Sequence, residues 1–365
     1  MIFGARKMKK LVFYIDSLYY GGAQRVMANL VTYFSKKYDV ILINDFKMDQ
    51  SIAIYEIPAQ IKRLYLRDNL EGNPIIKNLL RVITLRKIIK KENPDAVLSF
   101  LGRPNERMLI ATVGLCTRKV VSVRNTPEHE YGSSKIKRHI IKRLFLLADG
   151  VVFQTEEAAK YFQPSILRKS TVIINPVGTS FFETKRKRET HNIITVGRFE
   201  RQKNHRLLME AWKDIENKFP DEKLIIYGDG PLRTEYEKYI NEYHLEKRIL
   251  LPGRIKNVEE RLASAKLFVL SSDFEGMPNA LMEAMAVGVP CISTDCPCGG
   301  PRTLIRNQKE GILIPPNDVT ALENAIQDML VSSERENIGI SAKIRSEIFN
   351  EKTIYEQWEN FLLKN

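Results

Sequence analysis

The feature of this sequence that most limits its fold is an alternation of short apolar segments with helical ones, which runs through the chain twice. Apolar runs of four to six residues, typical of strands buried on both faces, are mostly followed by stretches with apolar residues at helical spacing. The first series begins at residues 10–15 and ends where residues 184–190 become Lys/Arg-rich and lose apolar periodicity, as a linker does. The pattern restarts at residues 192–196. The alternation therefore predicts an α/β protein with two doubly wound parallel sheets.

The length of 365 residues agrees with two domains, because one ordinary hydrophobic core does not extend over so long a chain. We expect an N-terminal domain over residues 1–185 and a C-terminal domain over residues 186–345. Residues 346–365 form a closing helical segment. In doubly wound sheets, ligands bind beyond the carboxyl ends of the strands, which is where the glycine-rich turns of this sequence fall.

The charge of the chain is divided unevenly, although its total is +13. Residues 1–190 hold 34 Lys and Arg against 17 Asp and Glu, whereas the remainder holds 23 against 27. A nucleic-acid-binding protein with a uniformly basic surface would not divide in this way. The division favours two domains that face different partners, and no nucleic acid is expected among them.

Two basic helical segments hold much of the positive charge. Residues 81–91 place Val82, Leu85, Ile88 and Ile89 at helical spacing among five Lys and Arg, and residues 135–147 repeat this plan. Either segment can be an ordinary domain helix with its apolar face in the core. The charge division favours the alternative of peripheral contact with an anionic membrane.

The sequence gives no sign of a membrane-spanning or exported protein. No run of about 18 apolar residues occurs, and the apolar run at residues 11–15 is too short for a signal peptide. Cys291, Cys296 and Cys298 lie close together, but their spacing does not match a usual zinc site and no fourth ligand is evident. We expect free thiols, no metal, and a cytoplasmic protein at the inner face of the cell membrane.

The richest local signal is the segment 271–290, which sets Glu275 and Glu283 eight residues apart across a turn. Glu275 stands in a loop that ends at Pro278, and Glu283 falls about one turn into a helix that begins near Asn279. The first N–H groups of that helix have no partner within it and favour an anion. A phosphate at the helix start with carboxylates to bind hydroxyl groups on either side outlines a nucleotide-sugar site.

Four glycine-containing turns follow predicted strands. Gly22 opens a helix where a phosphate could approach, or where the chain simply turns tightly. Arg198 and Lys203 could both reach a diphosphate, or stand as two solvated cations. The turn at Gly228 suits a ligand or a plain loop, and the turn before Arg254 exposes backbone groups that could pair with a base edge. Each signal is weak alone, but their order along one α/β domain is informative.

Taken together, these motifs resemble glycosyltransferase family 4, of GT-B architecture, over essentially the whole chain. The resemblance rests on Gly-Gly-Ala-x-Arg at residues 21–25, Gly-Arg with Lys-Asn at 197–204, Gly-x-Gly-Pro-Leu at 228–232 and Glu-x7-Glu at 275–283, followed by Gly-x-Pro. It implies two Rossmann-like domains with a cleft between them, the donor in the second and the acceptor in the first. The last helix then returns to the first domain, with Trp358 as an anchor.

The same resemblance implies the chemistry and the roles of individual residues. It implies metal-independent transfer of a sugar from a nucleotide donor with retention at the anomeric carbon, without a cofactor. Arg198 and Lys203 would hold the diphosphate and stabilise the leaving group, Glu283 would bind the ribose and Glu275 would lie beside the transferred sugar. The further donor-binding positions are Gly22, Gly228, Arg254, Gly276, Met277, Pro278 and Asn279.

One departure from the family pattern concerns the loop after the predicted strand that ends at Val123. Many members carry a His there that touches the donor sugar, whereas this chain has Arg124 and Asn125, with His129 four residues further on. We expect Arg124 or Asn125 to supply that hydrogen bond, and His129 is more simply a surface residue. Arg-Asn variants are similar to bacterial enzymes that build polysaccharides or glycans on lipid carriers, some of which use N-acetylated hexosamines.

The function expected from the sequence is therefore transfer of a hexose or N-acetylhexosamine from a nucleotide sugar, with UDP as the expected nucleotide. The acceptor is a lipid-linked or other glycan in cell-surface polysaccharide synthesis. Two other classes stay open: a nucleotide-sugar epimerase of the same architecture, and a non-catalytic nucleotide-sugar-binding protein.

Overall fold

The computed structural model describes residues 8–19, 21–47, 55–67, 73–187 and 190–364. Residues 1–7, and residues 188–189 of the expected linker, are among those outside this description. The chain forms two compact units, Met1–Ile174 with Ile354–Asn365 and Asn175–Thr353. Each contains one parallel sheet and the helices that connect its strands, so the prediction of two doubly wound α/β domains is confirmed.

The first unit is built on a sheet whose described strands lie in the order β3-β2-β1-β4-β5-β6-β7, all parallel. Its strands are β1 (Lys10–Tyr14), β2 (Asp39–Asn44), β3 (Lys62–Tyr65), β4 (Ala96–Phe100), β5 (Arg118–Ser122), β6 (Gly150–Phe153) and β7 (Ser170–Val172). Its helices are α1 (Gly22–Phe34), α2 (Pro74–Glu92), α3 (Gly102–Ala111), α4 (Pro127–Tyr131), α5 (Lys135–Leu144), α6 (Glu156–Ala159) and α7 (Pro164–Leu167), with a 3-10 turn at Phe145–Leu147. The central strands are mostly apolar and buried, as is usual for parallel strands that helices cover on both faces.

The second unit repeats this plan with the strand order β10-β9-β8-β11-β12-β13, again all parallel. Its strands are β8 (Asn192–Val196), β9 (Lys223–Tyr227), β10 (Ile249–Gly253), β11 (Leu267–Leu270), β12 (Cys291–Thr294) and β13 (Ile312–Ile314). Its helices are α8 (Thr179–Glu183), α9 (His205–Ile215), α10 (Arg233–Glu242), α11 (Val258–Ala263), α12 (Asn279–Val287), α13 (Gly300–Leu304), α14 (Val319–Val331) and α15 (Arg335–Ser346), with 3-10 turns at Arg201–Lys203, Glu216–Lys218 and Glu347–Phe349.

The last helix, α16 (Glu351–Leu362), adds its apolar face to the core of the first unit. Trp358 is fully buried there, with its ring centroid 5.6 Å from that of Phe100. Glu359, on the same helix, accepts hydrogen bonds from the hydroxyls of Tyr33 at 3.0 Å and Tyr38 at 2.7 Å. Apolar burial and polar contacts together fix the end of the chain on this unit.

The division between the units falls at residue 174 rather than at the expected residue 185. Residues 175–185 belong to the second unit because α8 is attached to it. The Lys343 ammonium donates to the Phe182 carbonyl at 3.1 Å, and the Thr179 N–H donates to the Glu351 carboxylate at 3.1 Å. The Lys/Arg-rich stretch that suggested the boundary therefore lies just inside the second unit. In the part of the chain described, no helix is both long and apolar enough to cross a bilayer.

Candidate active site

The second sheet reverses its direction of growth between β8 and β11. From β8 the chain adds β9 and β10 on one side, and then β11, β12 and β13 on the other. In doubly wound sheets, ligands usually bind in the crevice beside the loops that leave the carboxyl ends of two such neighbouring strands. Here these loops are residues 197–204 and 271–278, the two segments singled out from the sequence.

The two loops are held together by hydrogen bonds. The N–H of Asp273 donates to the Gln202 carbonyl at 2.9 Å, and the Gln202 amide donates to the Phe274 carbonyl at 2.9 Å. The Ser271 hydroxyl donates to the Lys203 carbonyl at 3.1 Å. Because backbone groups of both loops take part, these hydrogen bonds fix the position of one loop relative to the other.

Lys203 and Glu275 form an ion pair in this crevice. The same Glu275 oxygen accepts the Ser272 hydroxyl at 2.8 Å, and the other oxygen lies 3.5 Å from the Gln202 amide nitrogen. The Glu275 side chain is 8% exposed and that of Lys203 is 21% exposed. An ammonium has three donors, so Lys203 can hold Glu275 and still donate to an incoming anion. Sequence reasoning missed Ser272 and Gln202, because neither residue carries a spacing signal.

Arg198 lies on the same loop as Lys203 but outside this pair. Its guanidinium pairs with Glu200 and its side chain is 56% exposed, so the cation is accessible from solvent. The loop therefore presents one partly buried cation and one exposed cation near the carboxyl end of β8.

Gly228 supports the Arg198–Lys203 loop from behind. Its φ of +148° is one that residues with a side chain rarely adopt, and a Cβ built on it would lie 1.8 Å from the Gly197 carbonyl oxygen. The N–H of Gly197 donates to the Tyr227 carbonyl at 2.9 Å, and the N–H of Phe199 donates to the Asp229 carbonyl at 3.1 Å. The backbone contact between the two turns requires glycine at position 228.

His205, the first residue of α9, lies beneath the same loop. It is 2% exposed, and a Cβ on Gly197 would lie 3.2 Å from its imidazole ring. Burial, together with the positive charge of Lys203, lowers the pKa of His205 to about 3. The imidazole is therefore neutral near pH 7 and acts as packing for the loop, a role that its position in the sequence did not indicate.

The helix that was expected near Asn279 begins at that residue. Pro278 occupies the N-cap position in an extended conformation, and its side chain makes no capping hydrogen bond. The first N–H groups of the helix can therefore donate to an acceptor outside it. The Asn175 amide donates to the Met277 carbonyl at 3.1 Å and to the Asn279 side chain at 2.6 Å. Glu283 follows Asn279 by one turn, hence on the same helix face, and is 5% exposed.

Gly276 and Arg254 complete the sequence-predicted positions of this unit. A Cβ on Gly300, the first residue of α13, would lie 2.0 Å from the Gly276 carbonyl oxygen, so the loop is closely packed on that side. Arg254 is exposed in the turn after β10, and β10 is separated from β8 in the sheet by β9 alone. Cys291, Cys296 and Cys298 are buried and take part in no disulfide among the described residues, and burial raises the pKa of Cys296 to about 12.

The remaining predicted positions lie in the first unit. Gly22 begins α1, close to the carboxyl end of β1, where that sheet also reverses direction between β1 and β4. Arg124 and Asn125 follow β5, and Arg124 is 6% exposed with its guanidinium 4.5 Å from the centroid of the Phe100 ring. His129 is exposed on α4, as a surface residue would be.

The fold, together with the crevice lined by Lys203 and Glu275, places the protein in the class of GT-B glycosyltransferases. Residues 20–181 match the family described as Glycosyltransferase Family 4, and residues 178–345 match Glycosyl transferases group 1. The chain belongs to glycosyltransferase family 4, as the sequence motifs indicated.

Two relatives agree with this assignment, and a solved structure agrees with the fold. The chain is 30% identical, over 98% of its length and 100% of the relative's, to N-acetylgalactosamine-N,N'-diacetylbacillosaminyl-diphospho-undecaprenol 4-alpha-N-acetylgalactosaminyltransferase of Campylobacter jejuni. It is 27% identical, over 76% of its length and 75% of the relative's, to UDP-Gal:alpha-D-GlcNAc-diphosphoundecaprenol alpha-1,3-galactosyltransferase of Escherichia coli. Anabaena HepE, solved in complex with UDP and glucose, shares the fold with a TM-score of 0.80 at 17% identity, covering 98% of this chain and 100% of that one.

Proposed function

We propose that the protein transfers a sugar from a UDP-sugar to a lipid-linked glycan with retention of anomeric configuration and without a metal ion. The observation that carries this proposal is the Lys203–Glu275 pair in the crevice between the β8 and β11 loops. A cation fixed there can neutralise a departing diphosphate, which is the electrostatic work that a metal ion does in other transferases.

The other side chains of the crevice take complementary roles in this proposal. Arg198 pairs with the diphosphate as a second cation, the helix start at Asn279 offers N–H groups to a phosphate, and Glu283 accepts the ribose hydroxyls. Glu275 contacts the transferred sugar. The backbone near Arg254 contacts the base, and Gly22 allows close approach of the diphosphate. Arg124 and Asn125 supply the hydrogen bonds to the sugar that a His supplies elsewhere in the family.

The reaction balances without a protein nucleophile. The bond between the anomeric carbon and the diphosphate oxygen breaks, and a bond from that carbon to the acceptor oxygen forms on the same face. The acceptor proton passes to the departing phosphate oxygen, whose negative charge Lys203 and Arg198 stabilise.

The relatives narrow the proposed substrates. The Campylobacter relative is named for transfer of N-acetylgalactosamine to a diphospho-undecaprenol-linked sugar, and the Escherichia relative for transfer of galactose from UDP-Gal to another. We therefore assign an N-acetylhexosamine or hexose as the transferred sugar and a polyprenyl-diphosphate-linked sugar as the acceptor. The epimerase and the non-catalytic binding protein have no comparable support.

The direct test incubates the protein with UDP-GalNAc, UDP-GlcNAc, UDP-galactose or UDP-glucose, each with a polyprenyl-diphosphate acceptor that carries one N-acetylhexosamine. We expect one donor to extend the acceptor by one sugar, with an α-linkage from an α-donor by NMR and undiminished rate in EDTA. Formation of an epimer from a donor without acceptor would support the epimerase instead. Binding of UDP-sugars without turnover would support the binding protein.

The first unit carries a surface suited to an anionic membrane, where such an acceptor resides. More than half of the large apolar side chains that are exposed in the described residues lie on α2, α3 and α5 or in the turns after α3 and α5. Helix α3 packs against both α2 and α5. They are Ile75, Ile76, Leu79, Ile83, Ile110, Val113, Ile136, Ile140, Leu146 and Leu147. Lys and Arg are interspersed on the same helices, as in amphipathic helices that bind anionic lipid.

This apolar set differs from the one expected on α2. Leu85 and Ile89, two of the four residues in the predicted stripe, are buried in the first unit. Arg86 is not a free surface cation either, because its guanidinium donates to the carbonyls of Ala111 at 2.8 Å and Val113 at 2.7 Å at the end of α3. The stripe at 82–89 therefore faces the protein, and the amino-terminal half of α2 provides the surface that we propose for the membrane.

Vesicle flotation tests this surface with a matched pair of variants. Ile76→Asp, on α2, is expected to weaken binding to phosphatidylglycerol-containing vesicles about tenfold or more, because each apolar side chain lost from the interface costs roughly 1.5–3 kcal/mol. Ile340→Asp, at an Ile on α15 of the second unit that is exposed to the same extent as Ile76 (57%), is expected to leave binding unchanged. Wild-type binding that is insensitive to phosphatidylglycerol and to salt would contradict the proposal.

A further inference from the structure

A carboxylate that the sequence motifs did not single out lies under the Arg124–Asn125 turn. The N–H of Arg124 donates to the Glu130 carboxylate at 2.6 Å, and the N–H of Asn125 stabilises the same carboxylate. The Asn125 side chain in turn accepts the N–H of Thr126 at 2.8 Å. One side chain, six residues downstream, thus sets the backbone of both residues that replace the family's His.

The short helix α4, which carries Glu130, is fixed to the sheet by a buried polar network. The Asn105 amide donates to the Tyr131 hydroxyl at 3.0 Å and to the Ser122 carbonyl at 2.9 Å, and its oxygen accepts the Ser99 hydroxyl at 2.7 Å. The four residues of this network are less than 1% exposed. Fully satisfied networks of this kind specify one arrangement of the elements that they join.

The chain also approaches α4 closely from the end of β4. A Cβ on Gly102 would lie 2.7 Å from the Glu130 carbonyl oxygen. The preceding Leu101 has a φ of +75°, a conformation that costs energy for a residue with a bulky side chain. Strain of this kind persists where the surrounding structure fixes the backbone, and it is concentrated at functional sites.

The guanidinium of Arg124 is held above this arrangement. It lies over the Phe100 ring, and its Nη1 is 3.4 Å from the Ser122 hydroxyl. Burial lowers the pKa of Arg124 to about 9, and the negative charge of Glu130 opposes that effect. Glu130 therefore favours the charged form of Arg124 and also holds its backbone.

We infer that Glu130 is a positioning residue for the transfer reaction: its carboxylate fixes the backbone of the Arg124–Asn125 turn and balances the Arg124 charge. This inference rests on the proposed function, in which Arg124 and Asn125 act on that sugar. A residue in this role affects the rate of the bound complex more than donor affinity, because the nucleotide-binding loops belong to the second unit.

Glu130→Gln keeps the shape of the side chain and removes its charge. We expect kcat to fall about tenfold or more, as for loss of a charge-assisted hydrogen bond, with the donor KM little changed. Burial raises the pKa of Glu130 to about 7, and the titratable groups that face it are Arg124 and Tyr131, with Glu106 next to Tyr131. Wild-type kcat should therefore decline as the pH falls through about 7, and that decline should be absent in Glu130→Gln.

Glu128→Gln is the matched control, since Glu128 lies on the same helix, is exposed and pairs only at the surface with Arg138 at 3.5 Å. The inference is overturned if Arg124→Ala impairs transfer while Glu130→Gln keeps the wild-type kcat and pH profile. It is also overturned if Glu130→Gln lowers the melting temperature but leaves kcat unchanged. If Glu130→Gln does not fold, Glu130→Asp replaces it, because this variant keeps the charge and shortens the side chain. We expect Glu130→Asp to lower kcat and to keep the decline of kcat at acidic pH. An unchanged kcat in Glu130→Asp would overturn the inference. Absence of transfer by the wild type would instead refute the proposed function.

Discussion

Lys203→Ala is expected to lower kcat by about 10²–10³-fold, the usual effect of removing one group that stabilises developing negative charge. The physical reason is the position of Lys203: its side chain is only 21% exposed, and its ammonium is paired with Glu275 beyond the carboxyl end of β8. Charge on the diphosphate grows as the sugar leaves, so kcat should fall more than the donor KM rises. Steady-state kinetics, with the UDP-sugar that supports transfer in the donor comparison, measure kcat and the donor KM.

The control for this variant is Lys223→Ala. Lys223 is another Lys of the second unit, but it is exposed and stands at the amino end of β9, at the opposite edge of the sheet from the crevice. Glu275→Gln and the double variant complete a thermodynamic cycle. Because the two side chains are in direct contact, their effects on kcat should be far from additive. A Lys203→Ala enzyme with nearly wild-type kcat would remove Lys203 from the reaction.

The fold could be predicted from the sequence because its strongest signals are local. Segments such as Leu267–Leu270 are apolar at every position, which identifies a strand covered on both faces. The strands β3, β7 and β13 were not predicted. They lie at the sheet edges, where a short strand such as Lys62–Tyr65 can be partly exposed and carry charged side chains. The unit boundary was misplaced because charge composition does not report which core a short helix contacts.

The candidate site was only partly predictable, and the reason is topological. Lys203 and Glu275 are 72 residues apart, and each motif by itself allowed a solvated cation or an ordinary loop. They meet because β8 and β11 are parallel neighbours, which no local pattern in either motif specifies. Gln202, Ser272 and Glu130 act through hydrogen bonds that form only when the chain folds. Common polar residues in loops give no spacing that would separate them from surface residues.

Gly228→Ala is the substitution expected to affect stability most. The added methyl would lie 1.8 Å from the Gly197 carbonyl oxygen, which is backbone and cannot rotate away, and the φ of +148° disfavours any side chain. Strain and steric displacement together should cost about 2–5 kcal/mol. For a unit of this size each kcal/mol lowers the melting temperature by roughly 2–4 °C. Thermal unfolding of the purified variant measures the loss.

Gly253→Ala separates the two causes, because Gly253 lies in the same unit with a φ of +88° and no neighbour within 4 Å of a built Cβ. It carries only the conformational cost, roughly 1–2 kcal/mol. A larger loss for Gly228→Ala than for Gly253→Ala shows that the contact with Gly197 determines the need for glycine. If the Gly228 variant also binds UDP more weakly where it remains folded, the turn acts by holding the Arg198–Lys203 loop in place. Equal losses in the two variants would mean that backbone strain alone accounts for the glycine, and that the loop does not depend on the contact behind it.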